Sequence, residues 1–137
     1  MSVIASLKKW LQDFDGGVIT TDILLLQTPA KAVSASSTGN VVLDILGNRT
    51  YSNNYIFKIR SLSLDEADRE DNYDLLSNLT NWIYDRNYQE DYPILEKGIV
   101  EEIKVTNDVL TSINDDGTSE YEILLTMKIF EKKERRK

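Results

Sequence analysis

Apolar residues at Val3, Ile4, Leu7, Trp10, Leu11 and Phe14 are spaced 1, 3, 3, 1 and 3 apart, with Lys8, Lys9, Gln12 and Asp13 off the stripe. That spacing predicts an amphipathic helix. Ser2 is placed to cap it, and Gly16-Gly17 to stop it. A stripe carrying Trp and Phe needs a surface to cover, first the chain's own sheet and second a neighbouring subunit. Ile23-Leu24-Leu25-Leu26, bounded by Asp22 and Thr28-Pro29, predicts a short strand buried on both faces. The small, weakly charged residues that follow predict a long flexible loop over about 28–40. Val41 to Leu46 suits a strand or a short helix, and Gly47-Asn48 a turn.

From Thr50 to Ser61 the pattern alternates, with Tyr51, Tyr55, Phe57 and Ile59 on one face and Lys58 and Arg60 on the other. Such a strand would span about 36 Å against a domain radius of gyration of about 14 Å, so it is expected to bend, break or project. A second helix is predicted over Asp65 to Tyr88, its stripe formed by Leu75, Leu76, Leu79, Trp82 and Ile83. Ser63 and Glu66 have capping-box spacing. Extended backward, the stripe meets Asp68, Asp71 and Asn72, so the first half of this helix should leave the core or meet a polar neighbour. Tyr92-Pro93 closes the helical region. Ile99, Ile103 and Val105 are read as one strand face, interrupted by Glu101, and Val109 to Ile113 as further extended chain. After the turn Asn114-Asp115-Asp116-Gly117, Tyr121, Ile123, Leu125, Met127 and Ile129 face inward from the best-patterned strand. The order predicts an α+β fold: an antiparallel or mixed sheet of four to five strands with two main helices on one face.

Length and charge sharpen this picture. At 137 residues the chain is one domain, expected over 1–130, with a basic tail over 131–137. The tail holds five basic and two acidic residues, net +3, which leaves −10 of the overall −7 on the body. The acidic balance argues against a generic nucleic-acid binder. No apolar run approaches a membrane span, and the start of the chain lacks the basic-then-apolar order of a signal peptide, so synthesis in the cytoplasm is expected.

The chain contains no cysteine and no histidine. That excludes thiolate nucleophiles, disulfides, Cys/His zinc sites, the Ser-His-Asp triad and His- or Cys-ligated haem. The acidic start of the second helix and Asn114–Gly117 both miss the calcium-loop spacing, and no phosphate-binding glycine motif occurs. No catalytic residue, metal or cofactor is expected. The candidate interface residues are Arg60, Asp68, Arg69, Asp71, Asn72, Tyr84 and Tyr88, with Lys132, Lys133, Arg135 and Arg136 in the tail. Arg60 and Arg69 are also candidates for ordinary salt bridges within the chain.

Several runs carry a resemblance: Phe57-Lys58-Ile59-Arg60-Ser61, Asp68-Arg69-Glu70-Asp71-Asn72-Tyr73, Leu75-Leu76-Ser77-Asn78-Leu79 with Trp82-Ile83, and Pro93-Ile94-Leu95. Ile99, Val105-Thr106, Leu110, Asp115-Asp116-Gly117 and Tyr121-Glu122-Ile123 continue it, over about 80 of 137 residues. This stretch resembles a family of small virion proteins of phages with long non-contractile tails that infect Gram-positive bacteria. They are labelled minor capsid proteins, and several are similar to tail-terminator or tail-to-head joining proteins. The resemblance implies a tail-terminator-like α+β subunit in a homo-oligomeric ring, commonly a hexamer, at the head–tail junction of the virion. Its implied partners are the tail-tube protein and the head connector or stopper, with no membrane and no sequence-specific nucleic acid. Another connector, stopper or tail-completion protein is the alternative, and a carboxylate-based hydrolase a more distant one.

Overall fold

The computed structural model describes residues 2–15, 17–24, 30–114 and 116–133. Helix α1 spans Val3–Asp15, and Ser2 Oγ accepts a hydrogen bond from the Ala5 amide at 3.2 Å, as expected of its cap. The strands β1 (Thr20–Thr21), β2 (Ala30–Leu43) and β3 (Arg49–Leu62) follow. Helix α2 (Glu66–Tyr88) then leads to β4 (Ile99–Ile113) and β5 (Thr118–Glu131). The sheet order is β1-β2-β3-β5-β4, with β1 parallel to β2 and the other pairs antiparallel. The fold is therefore α+β with a mixed sheet and two helices, as the pattern predicts.

Strand β5 lies between β3 and β4 and alternates most strictly. Tyr121, Ile123, Leu125, Met127 and Ile129 are all buried on the helix side. They meet Tyr55, Phe57 and Ile59 from β3, Val33 from β2, and Val100 and Ile103 from β4. Leu7, Trp10 and Leu11 of α1 and Leu76, Leu79 and Ile83 of α2 close this core from above. Helix α1 thus covers the chain's own sheet. The opposite sheet face carries Lys58, Arg60, Glu120, Glu122 and Lys128, and among the described residues no helix lies on it.

Four expectations are corrected. Residues 30–43 form β2 and not a loop. They are a strand because β3 pairs with them through eleven registered positions, Ala30 beside Arg60 and Ala32 beside Lys58 among them. Ile23 is exposed and outside any strand, since β1 has already ended at Thr21; Leu25 to Pro29 lie outside the described residues. The α2 cap is Asp65, whose carboxylate accepts from the Asp68 amide at 2.9 Å, while Asp68 in turn accepts from the Leu64 amide at 3.0 Å. Asp65 thus caps the helix and Asp68 holds the amide of the residue before the cap, in place of the box expected of Ser63 and Glu66. Finally, Ile99 is exposed and Val100 takes its place in the core, because register shifts between Val100 and Glu102. The extra residue of this bulge, Glu101, lets Val100 and Ile103, three apart, face the same side.

Strand β3 does not break. All fourteen of its residues register with β5. Its other neighbour β2 yields instead, with shifts between Ala35 and Ser37 and between Thr38 and Val41. The hairpin that β2 and β3 form is closed by Asp44–Gly47.

Candidate functional site

The expected interface residues that the structure describes are spread over several elements, and Asn72 among them is buried. On the helix-free face, the Arg60 guanidinium is 3.0 Å from Glu120, with its side chain only 11% exposed. This is the ordinary salt bridge within one chain that was the first expectation for Arg60. Asp68 belongs to the α2 cap, and Arg69 and Asp71 are exposed on the first turns of the helix. Asn72 is buried, and its amide donates to the Leu62 carbonyl at 2.9 Å and to the Tyr121 hydroxyl at 3.4 Å. This is the polar neighbour that the break in the stripe anticipates. Tyr84 and Tyr88 are exposed at the far end of α2, and Lys132 and Lys133 just after β5. Arg135 and Arg136 lie outside the described residues.

Two further features emerge only in three dimensions. The first is the tip of the β2–β3 hairpin. Val41, Val42, Leu43, Ile45 and Leu46 are all exposed, and Ile45 completely so. The tip is nevertheless tightly built. Asp44 Oδ1 accepts from the Leu46 and Asn48 amides, both at 2.9 Å, and Asp44 Oδ2 accepts from the Asn48 side-chain amide at 3.0 Å. Gly47 takes φ +85°, in the left-handed region that favours glycine, and the Lys133 stem lies against it. The Lys133 amide also donates to Asn48 Oδ1 at 2.8 Å, which fastens the tip to the end of β5. The sequence signal was the apolar run before Gly47-Asn48, but periodicity cannot tell a buried run from an exposed one.

The second feature is a cleft of about 390 Å³ between α1 and residues 91–96. Trp10, Tyr92, Pro93, Ile94 and Leu95 line it, with Lys9, Asp13, Asp91 and Glu96 around them. Trp10 forms its floor. The indole N–H donates to the Asp91 carbonyl at 2.8 Å, and the ring packs 4.7 Å from Trp82, which also meets Phe14. The Tyr92 hydroxyl donates to the Asn87 carbonyl at 3.4 Å, and burial pushes its pKa up.

Asn87 is a residue that sequence reading did not single out. Its side chain donates to the Ile103 carbonyl at 2.6 Å and to the Ile83 carbonyl at 3.1 Å, and accepts from the Ile103 amide at 2.9 Å. One amide thus pairs with β4 where a sixth strand would, and covers that part of the sheet edge. Asn87→Leu, which keeps bulk but no polar group, is expected to lower stability by about 1–3 kcal/mol. Urea unfolding measures this, and faster hydrogen exchange at the Ile103 amide would locate it.

Among the described residues, no group of three His, Cys, Asp or Glu side chains gathers to hold a metal ion. Among them also, no helix is long and apolar enough to cross a membrane. No protein-family model and no curated protein matches the sequence. Among solved structures, the chain is similar to a protein in the structure described as "Virion of native gene transfer agent (GTA) particle", with a TM-score of 0.55 at 10% identity, over 94% of this chain and 92% of that one. At that identity the likeness shows a shared fold, and the shared fold extends over nearly the whole of both chains.

Proposed function

We infer that this protein is a structural component of a phage-like virion, without enzymatic activity, and that it acts as a tail terminator. In this reading, copies form a ring, most simply a hexamer, at the head-proximal end of the tail. The ring stops growth of the tail tube and offers the head connector a surface to join. Assembly would take place in the host cytoplasm. The observation that carries this reading is the fold shared end to end with a chain of a gene transfer agent virion, together with the sequence resemblance from Phe57 onward. The lack of cysteine and histidine favours work done by shape and repeated contact.

Native mass measurement and electron microscopy test it. The expected result is a ring, alone or on meeting tail tubes, and overlong tails in particles assembled without the protein. A chain that stays monomeric in the presence of tubes would overturn the reading. Tails of normal length beside unjoined heads would assign the protein to head–tail joining instead.

A further inference from the structure

The two ends of the sheet carry opposite charge. Where β3 begins and β5 stops, a hollow of about 650 Å³ is lined by Arg49, Lys97, Lys132 and Lys133, with Glu96 and Glu131 among them. Both carboxylates are already engaged. Glu131 pairs with Arg49, and a hydrogen-bonded cation holds the Glu96 carboxyl below its usual range. Lys97, Lys132 and Lys133 are exposed, and none of them forms an ion pair among the described residues. The hollow is therefore left with uncompensated positive charge, and the sequence beyond Lys133 adds Arg135, Arg136 and Lys137 against Glu134.

At the opposite end, where β3 stops and α2 begins, Glu66, Glu70 and Asp74 recur every fourth residue along one line of the helix. All three are exposed, on the side away from the buried Asn72, Leu76 and Leu79, and none forms an ion pair among the described residues. Arg69 is the sole cation between Asp65 and Asp74. The helix dipole favours carboxylates only within the first turn, so it accounts for Glu66 but not for Glu70 and Asp74. Like charges four apart on a helix repel, so this stripe destabilises the free chain. The ends lie roughly 40 Å apart along β3. Even Asp74, about 12 Å along α2 from Glu66, is out of reach of its own chain's lysines. A second copy brings what the hollow lacks, three carboxylates in a row about 6 Å apart. Nucleic acid would meet the same lysines, but the −10 body beside them opposes it.

Resting on the ring reading above, we propose that the basic hollow of one subunit receives the carboxylate stripe of the next copy, Lys97, Lys132 and Lys133 meeting Glu66, Glu70 and Asp74. The two patches are different, so the contact is head-to-tail, and its repetition closes a ring when the rotation per subunit divides the circle. Opposite charge steers the two patches together and disfavours hollow against hollow or stripe against stripe. Exposed aliphatic side chains stand beside both, Leu46 next to Gly47 of the hollow and Leu64 just before α2. Their burial supplies apolar area that surface ion pairs alone do not.

Two charge-reversed variants test the contact: Lys97→Glu/Lys132→Glu in the hollow and Glu70→Lys/Asp74→Lys on the stripe. Lys133 is left in place because its stem packs against Gly47. All four substituted side chains are exposed, so the urea unfolding midpoints should stay near that of the wild type. Each variant alone is expected to need about a hundredfold more protein for half-assembly, read by native mass measurement. Mixed in equal amounts, the two variants restore assembly, because each then finds a neighbour of opposite charge, and the rings hold both in equal number. Three results would overturn the contact: either variant assembling as the wild type does, a mixture that assembles no better than its parts, or a hollow variant that assembles normally but loses affinity for a DNA duplex. In each of these the ring reading itself survives. A wild-type chain that never assembles, with or without tubes, removes both.

Discussion

Leu125→Ala is expected to destabilise the protein by about 2–5 kcal/mol, a large share of the 5–15 kcal/mol that holds a domain together. Leu125 is 0% exposed in the middle of β5, in register with Tyr55 on one side and Val105 on the other. Strands support it on both sides and the helices lie above, so the surrounding structure has little freedom to collapse into the gap. Both the lost transfer energy and the cavity then count. Lys128→Ala, on the helix-free face of the same strand, is the control and is expected to stay within about 0.5 kcal/mol. Denaturant unfolding of the two variants decides it. Equal effects would mean that β5 is not the centre of the core.

Trp10→Ala is expected to cost about 3–5 kcal/mol and to loosen α1 in particular. Three contacts are lost together. These are the 5%-exposed indole surface, the packing against Trp82 at 4.7 Å, and the N–H donated to the Asp91 carbonyl at 2.8 Å. That last bond ties the first helix to the segment leaving the second, 81 residues away. Trp10→Phe keeps most of the apolar area and loses the donor, so it should recover more than half of the difference. Hydrogen exchange would show the loss concentrated in residues 5–15 and 91–96. If the loss is instead spread evenly over β3 and β5, the clip does not act locally.

The strict period of two in Tyr121–Ile129 and the 1-3-3-1 spacings of both helices were enough to find β5, β3, α1 and α2. In each case one face is buried and the other wet, and the alternation records that difference. Where burial is not one-sided, the record fails. Strand β2 is rich in Ala and Ser over most of its length, and it is a strand because β3 pairs with it through eleven registered positions. No hydrophobic period announces such pairing. The bulge at Glu101 shifts the inward position from Ile99 to Val100, which a fixed period cannot represent. The cap of α2 was misplaced by two residues, because Ser63, Asp65 and Asp68 all have capping chemistry and only geometry chooses among them.

The candidate site shows the same division. Asn72 was legible as a polar interruption of an apolar stripe, and the structure supplies its partners, Leu62 and Tyr121. Asn87 was not legible. Its role depends on a β4 backbone amide and carbonyl 16 residues further along. The hairpin tip was visible as an apolar run, but its exposure was not.

By itself, the sequence determined the α+β class, the inward face of the central strands, the stripes of both helices and, through the lack of cysteine and histidine, the chemistries closed to this protein. These are local properties, written in periodicity and composition. Only the tertiary structure decided that residues 30–43 pair as a strand, that Asn87 covers a sheet edge, and that Ile45 and Leu46 face solvent while Trp10 floors an open cleft. Each of these depends on which distant segments meet, and a side chain's burial is a property of its neighbours in space, which its neighbours in sequence do not specify.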